Sequence, residues 1–137
     1  MAHWLFKTEP SEYSYADLAR DKRVVWEGVS NNTALLHLRG VKKGDSVVLY
    51  HTGNEKAAVG LAEVTRGAYA DPKLGDPKRV VVDLKPVRVF ERALPLAEFR
   101  NDPVLATTAL VRITRLSVMP LTAAQYARVL ERSGARA

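Results

Sequence analysis

The sequence predicts an α+β fold: a mixed, mostly antiparallel β-barrel with short peripheral helices. Two observations point there. Period-two segments follow one another through the middle of the chain, at 46–52, 57–66 and 79–91, where a doubly wound parallel sheet would interleave helices between its strands. The helical segments are all short, and most lie outside that central run. Such a pattern suits a small barrel with helices at its periphery.

The elements follow in order. "HWLFKT", residues 3–8, alternates Trp4, Phe6 and Thr8 against His3, Leu5 and Lys7, a strand stopped by Pro10. "SYADLAR" opens with Ser14 and has Asp17 three residues on, a weaker relative of the capping box, so a short helix is expected. "VVWEGVSNN", residues 24–32, has neither helical nor strand periodicity and reads as a loop. "NTALLHLRG" reads as a helix capped by Asn32 or Thr33, with Gly40 past its end. "KKGD" is a turn, and "SVVLYHT" and "AAVGLAEVTR" are strands around the turn "GNEK". Residues 67–78 are rich in Gly, Pro and Asp and read as a loop. The strand at 79–91 changes parity at Pro86, which cannot donate to a ladder, so a bulge or bend is expected near Lys85-Pro86. "PLAEFR" is a helical turn, and "RLSV", residues 115–118, a short strand stopped by Pro120. In "TAAQYARVLERSG", Thr122 and Gln125 form a capping box, and Gly134 ends the helix.

The chain has 137 residues, which suggests one domain spanning 1–137. Hydrophobic (47%) and charged (26%) fractions are those of a globular protein, which argues against disorder. There is no cysteine, so disulfides, thiolate metal sites and cysteine nucleophiles are excluded. No apolar run approaches the roughly 18 residues that signal a membrane span. "MAHWLFKTEP" lacks the basic and apolar segments of a signal peptide, so a cytoplasmic location is expected. The net charge is +6, and it is uneven. Residues 1–70 carry nine Lys/Arg and eight Asp/Glu; residues 71–137 carry twelve and seven. A basic surface attracts polyanions, or simply keeps a protein soluble.

Catalytic signatures are few. His3, His37 and His51 have no H-x-x-x-H or H-E-x-x-H spacing, so neither a metal nor a cofactor is called for. "GVKKGD" lacks the strand–loop–helix context of a phosphate loop, and no G-x-S-x-G occurs. One enzymatic alternative stays open, a small nucleotide-processing enzyme using His51 and Glu9 with Ser117.

The equipment for binding a planar heterocycle is richer. Trp26 offers a stacking face, Ser30 and Asn31 offer donors and acceptors, and Lys7, Arg112 and Arg115 offer phosphate contacts. A base stacked on an aromatic gains about 1–3 kcal/mol. Gly28 and the polar residues after it are poor company for a core tryptophan, which favours a partly exposed Trp26 in a loop that approaches a ligand. Each residue also has a plainer reading. Trp4 and Trp26 could be core, Asn31 a helix cap, Lys7 and Glu9 a surface ion pair, and Ser117 bonded to backbone.

Five motifs add specificity: "WLFKTEP" (4–10), "WEGVSN" (26–31), "YHT" (50–52), "AYADP" (68–72) and "RLSVMPLT" (115–122). In this order and spacing they resemble the EVE domain family. That resemblance implies a PUA-like fold, related to the YTH domains that read methylated adenine in RNA. It also implies a reader of modified bases, of a kind found in bacteria near DNA modification and restriction functions. Carried over by motif, the family pocket would take Lys7, Thr8 and Glu9; Trp26, Gly28, Val29 and Asn31; Tyr50, His51 and Thr52; and Leu116 and Ser117. Ser30 and Asn32 stand where the family pattern has an arginine and an aromatic. Serine cannot supply an arginine's bidentate contacts, so ligand choice is expected to differ. The 67–79 loop is also short beside that of eukaryotic members.

The expectation is therefore a monomeric, non-enzymatic domain holding a modified base of DNA in a pocket around Trp26, without cofactor, metal or membrane. A PUA-like module acting on tRNA or rRNA is the first alternative.

Overall fold

The structure, a computed structural model, describes residues 1–135. The strands are β1 (His3–Thr8), β2 (Val24–Trp26), β3 (Ser46–His51), β4 (Ala57–Ala70), β5 (Val80–Pro95) and β6 (Val118–Leu121). The helices are α1 (Tyr15–Asp21), α2 (Asn32–Leu38), α3 (Leu96–Asn101), α4 (Ala109–Arg112) and α5 (Ala123–Ser133), with a 3₁₀ turn at Leu105–Thr107.

One six-stranded sheet runs in the order β2-β5-β4-β3-β1-β6. β1 and β3 are parallel, and every other neighbouring pair is antiparallel. Three strands stand between β2 and β1, so a flat sheet would hold them about 19 Å apart at about 4.8 Å per step. Yet the rings of Phe6 on β1 and Trp26 on β2 have centroids 5.7 Å apart. The sheet therefore curls into a barrel, left open between β2 and β6, which are not hydrogen-bonded to each other. In the central strands Trp4, Leu5 and Phe6, and Val47 to His51, are buried on both faces, because helices cover the outside. The alternation expected at 46–52 is therefore incomplete, Val47 to Tyr50 being buried without a break.

The α+β class, the mostly antiparallel sheet and the short peripheral helices are those the sequence predicts. Three details differ. Residues 24–26 form a strand, not loop: Trp26 pairs with Val82 and Val24 with Leu84. Three residues are too few to show a period. β6 lies at 118–121 rather than 115–118, and Pro120 sits inside it opposite Trp4. As an edge strand β6 has one unpaired side, where a missing N–H costs nothing. β4 and β5 run further than expected, through pairs Tyr69–Val81 and Ala70–Val80, which shrinks the intervening loop. The guanidinium of Arg66 lies 3.6 Å over the Tyr69 ring there. The bend expected near Pro86 is a bulge: Leu61 pairs with Arg88 and Ala62 with Pro86, leaving Val87 extra.

Side-chain caps start α1, α2 and α5, whereas α3 and α4 have none. Ser14 with Asp17, and Thr122 with Gln125, form reciprocal capping boxes. Asn31, rather than Asn32 or Thr33, caps α2, its side chain accepting from the Ala34 N–H at 3.0 Å. No helix among the described residues is long and apolar enough to cross a membrane.

Candidate functional site

At one end of the barrel the chain gathers several strand and helix ends. Lys7 and Thr8 end β1, Trp26 ends β2, Asn31 caps α2, and Ser117 immediately precedes β6. The Lys7 N–H donates to the Ser117 carbonyl at 2.9 Å, extending the β1–β6 pairing and fixing these two residues side by side. Gly28, with φ at +82°, turns the chain between Trp26 and Asn31 in a conformation that other residues rarely adopt. The result is a cleft of about 300 Å³, lined by Lys7, Thr8, Glu9, Trp26 and the 27–31 loop, with Glu12 and Ser117 completing it. That volume is at the lower end of small-molecule sites, about 300–1,000 Å³.

Trp26 occupies two roles at once. It is only 8% exposed, packed against Phe6 and edge-on to Tyr13 at 6.2 Å. The expectation of a partly exposed ring is corrected accordingly: β2 pairing lays the indole over the open mouth of the barrel core. It nevertheless forms part of the wall of the cleft and of a second hollow against Tyr13, Val24 and Val25. Its indole N–H has no hydrogen-bond partner among the described residues, whereas that of Trp4 donates to Asp45 at 2.9 Å. The Trp26 indole nitrogen is not among the enclosed polar atoms, so it opens to solvent.

The cleft is acidic. Glu9, Glu12 and Glu27 line it with one lysine, Lys7, and Glu27 pairs with Lys73 outside the cleft at 3.4 Å. Glu9 accepts from the backbone N–H of Ser11 at 3.4 Å, the Ser11 hydroxyl at 3.1 Å and the Thr52 hydroxyl at 3.2 Å. The Ser11 N–H foremost, with these hydroxyls, holds the Glu9 carboxyl below its ordinary value, so it is an acceptor at neutral pH. Thr8 donates to the Tyr13 carbonyl at 2.7 Å. Lys7 Nζ donates to the Thr114 carbonyl at 2.8 Å, and burial of its stem lowers its pKa. Lys7 does not pair with Glu9; it points to the other side of the wall.

Not every expected residue arrives here. Tyr50 and Thr52 line a separate cavity of about 170 Å³, with Lys7, Lys56 and Arg100. His51 lines a third groove of about 610 Å³, beneath α1. The reason is strand geometry: successive side chains point to opposite faces, so "YHT" cannot turn as a unit toward one pocket. His51 Nε2 accepts the Tyr15 N–H at 3.0 Å, which places its proton on Nδ1, 2.8 Å from Glu55. Both ring nitrogens are thus occupied, and the base is not paired with Glu9. Leu116 is buried beside Asn31 and Arg115 in a fourth hollow, while Arg112 is exposed on α4 and lines none of these cavities. Sequence reasoning missed Glu12 and Glu27 here, and Lys56 and Arg100 next door. Glu12, Lys56 and Arg100 lie on loops or helix ends outside the five motifs, and only the fold brings them in; Glu27 lies inside "WEGVSN" and was passed over beside Trp26.

Residues 2–132 match the EVE domain family. Over 94% of this chain and 72% of that protein, the chain is 31% identical to thymocyte nuclear protein 1 of Homo sapiens. Rpa0253 from Rhodopseudomonas palustris is 37% identical with a TM-score of 0.93, covering 98% of this chain and 94% of that one. A crystal structure of human THYN1 protein in complex with 5-methylcytosine containing DNA is 30% identical with a TM-score of 0.88, covering 100% of both chains. The PUA-like fold implied by the motifs is thus the fold found. On this match across the chain and these likenesses in sequence and structure, the chain belongs to the EVE domain family.

Proposed function

We propose that the chain is a non-enzymatic reader of a modified base in DNA, the base entering the cleft beside Trp26. One observation carries the reading: a buried tryptophan with an unpartnered indole N–H shares a cleft with Glu9, Glu12, Glu27, Asn31 and Ser117. The ring supplies a flat wall. Carboxylates accept from an exocyclic amine, as Glu and Asp do from cytosine N4. The Asn31 amide, whose oxygen is engaged by Ala34, has its N–H groups left to donate. The human THYN1 protein chain seen in complex with 5-methylcytosine containing DNA is covered in full by this one, which supports cytosine among the bases. Arg115, beside Asn31 in the adjoining hollow, is placed to meet a flanking phosphate.

A binding role is also supported by what the cleft pairs together. Ser117 and Glu9 share it, but the imidazole of His51 is committed to Tyr15 and Glu55 elsewhere. A serine nucleophile there has no histidine base beside it.

The test is a titration of single- and double-stranded oligonucleotides carrying cytosine, 5-methylcytosine or N6-methyladenine, with RNA counterparts. The proposal predicts tighter binding to a modified DNA than to its unmodified twin. Equal affinity for all DNAs, or preference for RNA of the same sequence, overturns it. Turnover of a nucleotide panel by the purified protein would overturn the non-enzymatic half.

A further inference from the structure

We infer that the cavity around Tyr50 is a phosphate site, taking the backbone phosphate of the nucleotide whose base occupies the Trp26 cleft; this rests on the base-reading proposal above. Three observations lead to it. Tyr50 is only 3% exposed and lines the cavity, yet its hydroxyl has no hydrogen-bond partner among the described residues. That oxygen is not among the enclosed polar atoms, so it opens to solvent at the cavity and is free to meet a ligand. Two further cations line the same cavity, Lys56 and Arg100, and neither is in an ion pair among the described residues. Lys7 is the third, held by the Thr114 carbonyl at 2.8 Å. No carboxylate lines this cavity, in contrast to the three in the cleft.

The two cavities share a wall. Lys7 lines both, and Thr52 on one side donates to Glu9 on the other at 3.2 Å. The charges are therefore sorted across a single strand end: acceptors where a base edge with amino groups would lie, donors where its phosphate would lie. The phenol, the guanidinium and the ammonium groups supply the donors a phosphodiester oxygen needs, while the Thr52 hydroxyl is engaged by Glu9 and the Thr8 carbonyl. The motif "YHT" then has a function other than lining the base pocket. Tyr50 binds phosphate, Thr52 holds Glu9 on the cleft side, and His51 between them lines the groove beneath α1.

Three proteins test this, the wild type, Arg100→Gln and Tyr50→Phe. The probes are a 5-methylcytosine oligonucleotide, its unmodified twin and inorganic phosphate. Arg100→Gln should weaken both oligonucleotides by the same factor, about tenfold, the scale of one charged hydrogen bond. It should also reduce the slope of log affinity against log salt by about 1. Tyr50→Phe should weaken both by about fivefold, with an unchanged melting temperature because its hydroxyl bonds to no protein group. A hydroxyl with a structural role would lower that temperature. Unchanged affinity and salt slope in both variants, while the wild type prefers the modified DNA, overturns the phosphate site and leaves base reading standing. If the wild type binds no oligonucleotide, base reading fails, and amide resonances under inorganic phosphate decide the site. Shifts at Tyr50, Thr52 and Arg100 that Arg100→Gln abolishes would assign it to a free phosphate; their absence overturns it.

Discussion

Trp26 on β2 lies 5.7 Å, centroid to centroid, from Phe6 on β1, although three strands separate them in the sheet. That contact draws the two sides of the open barrel together, and the same indole walls the cleft. Stability and binding are therefore joined in one residue. Trp26→Ala should cost about 3–5 kcal/mol of folding stability, the range for a large aromatic removed from a core. Chemical denaturation measures this. A loss below about 1 kcal/mol would mean that the ring is not packed as described.

Asp45 should be a second point of fragility. Its buried carboxylate accepts from Trp4 Nε1 at 2.9 Å, the Lys42 N–H at 2.9 Å and the Ala2 N–H at 3.1 Å. Asp45→Ala strands the Trp4 donor within the core, at a cost of about 1–3 kcal/mol for that group alone. Equilibrium unfolding should show it, and Trp4→Phe in the Asp45→Ala background should then cost less than it does alone.

Gly60 leaves no room for a side chain. A Cβ there would stand 2.5 Å from Cε2 of the Tyr15 ring, and that ring is itself buried with its hydroxyl donating to the Leu61 carbonyl at 2.8 Å. Gly60→Ala should destabilise by about 1–3 kcal/mol, as overpacking does. A neutral effect in a thermal melt would show that α1 can lift from β4.

Acid should loosen the junction of α3 and α5 through Asp102. Burial alone would raise its pKa; the Arg128 guanidinium at 2.7 Å, with the Leu105 and Val104 N–H groups, outweighs it and holds the carboxyl below its ordinary value. A folded pKa below the unfolded one means stability that is present above the unfolded value, about 3.9. It is lost as pH falls through the depressed folded value. Asp102→Asn should flatten the pH dependence of unfolding free energy below about pH 4. An unchanged acid limb would assign the loss to other carboxylates.

Much of this was legible in the sequence. Long period-two segments gave β1, β3, β4 and β5, and reciprocal Ser14–Asp17 and Thr122–Gln125 spacing gave α1 and α5, because those signals are local. β2 was hidden because three residues cannot display a period, and its partner β5 is some sixty positions away. β6 was shifted because Pro120 breaks a central strand but not an edge. At the site, three of the five motifs, "WLFKTEP", "WEGVSN" and "RLSVMPLT", contribute residues to the cleft, and "AYADP" contributes none. The motifs could not say that neighbours on a strand diverge, which sends His51 and Tyr50 to different cavities. Nor could they bring in Glu12, Lys56 or Arg100, whose proximity depends on the tertiary fold.

The most direct test of the base pocket uses the two tryptophans against each other. Their indole N–H groups give two resonances in a ¹⁵N-correlated NMR spectrum. That of Trp4 is bonded to Asp45 inside the core, and that of Trp26 is unpartnered at the cleft. Titration with a 5-methylcytosine oligonucleotide should move the Trp26 resonance progressively and leave that of Trp4 in place, and the unmodified twin should move it less at equal concentration. If the oligonucleotide binds, shifting amides elsewhere while the Trp26 indole stays where it was, the base does not enter this cleft.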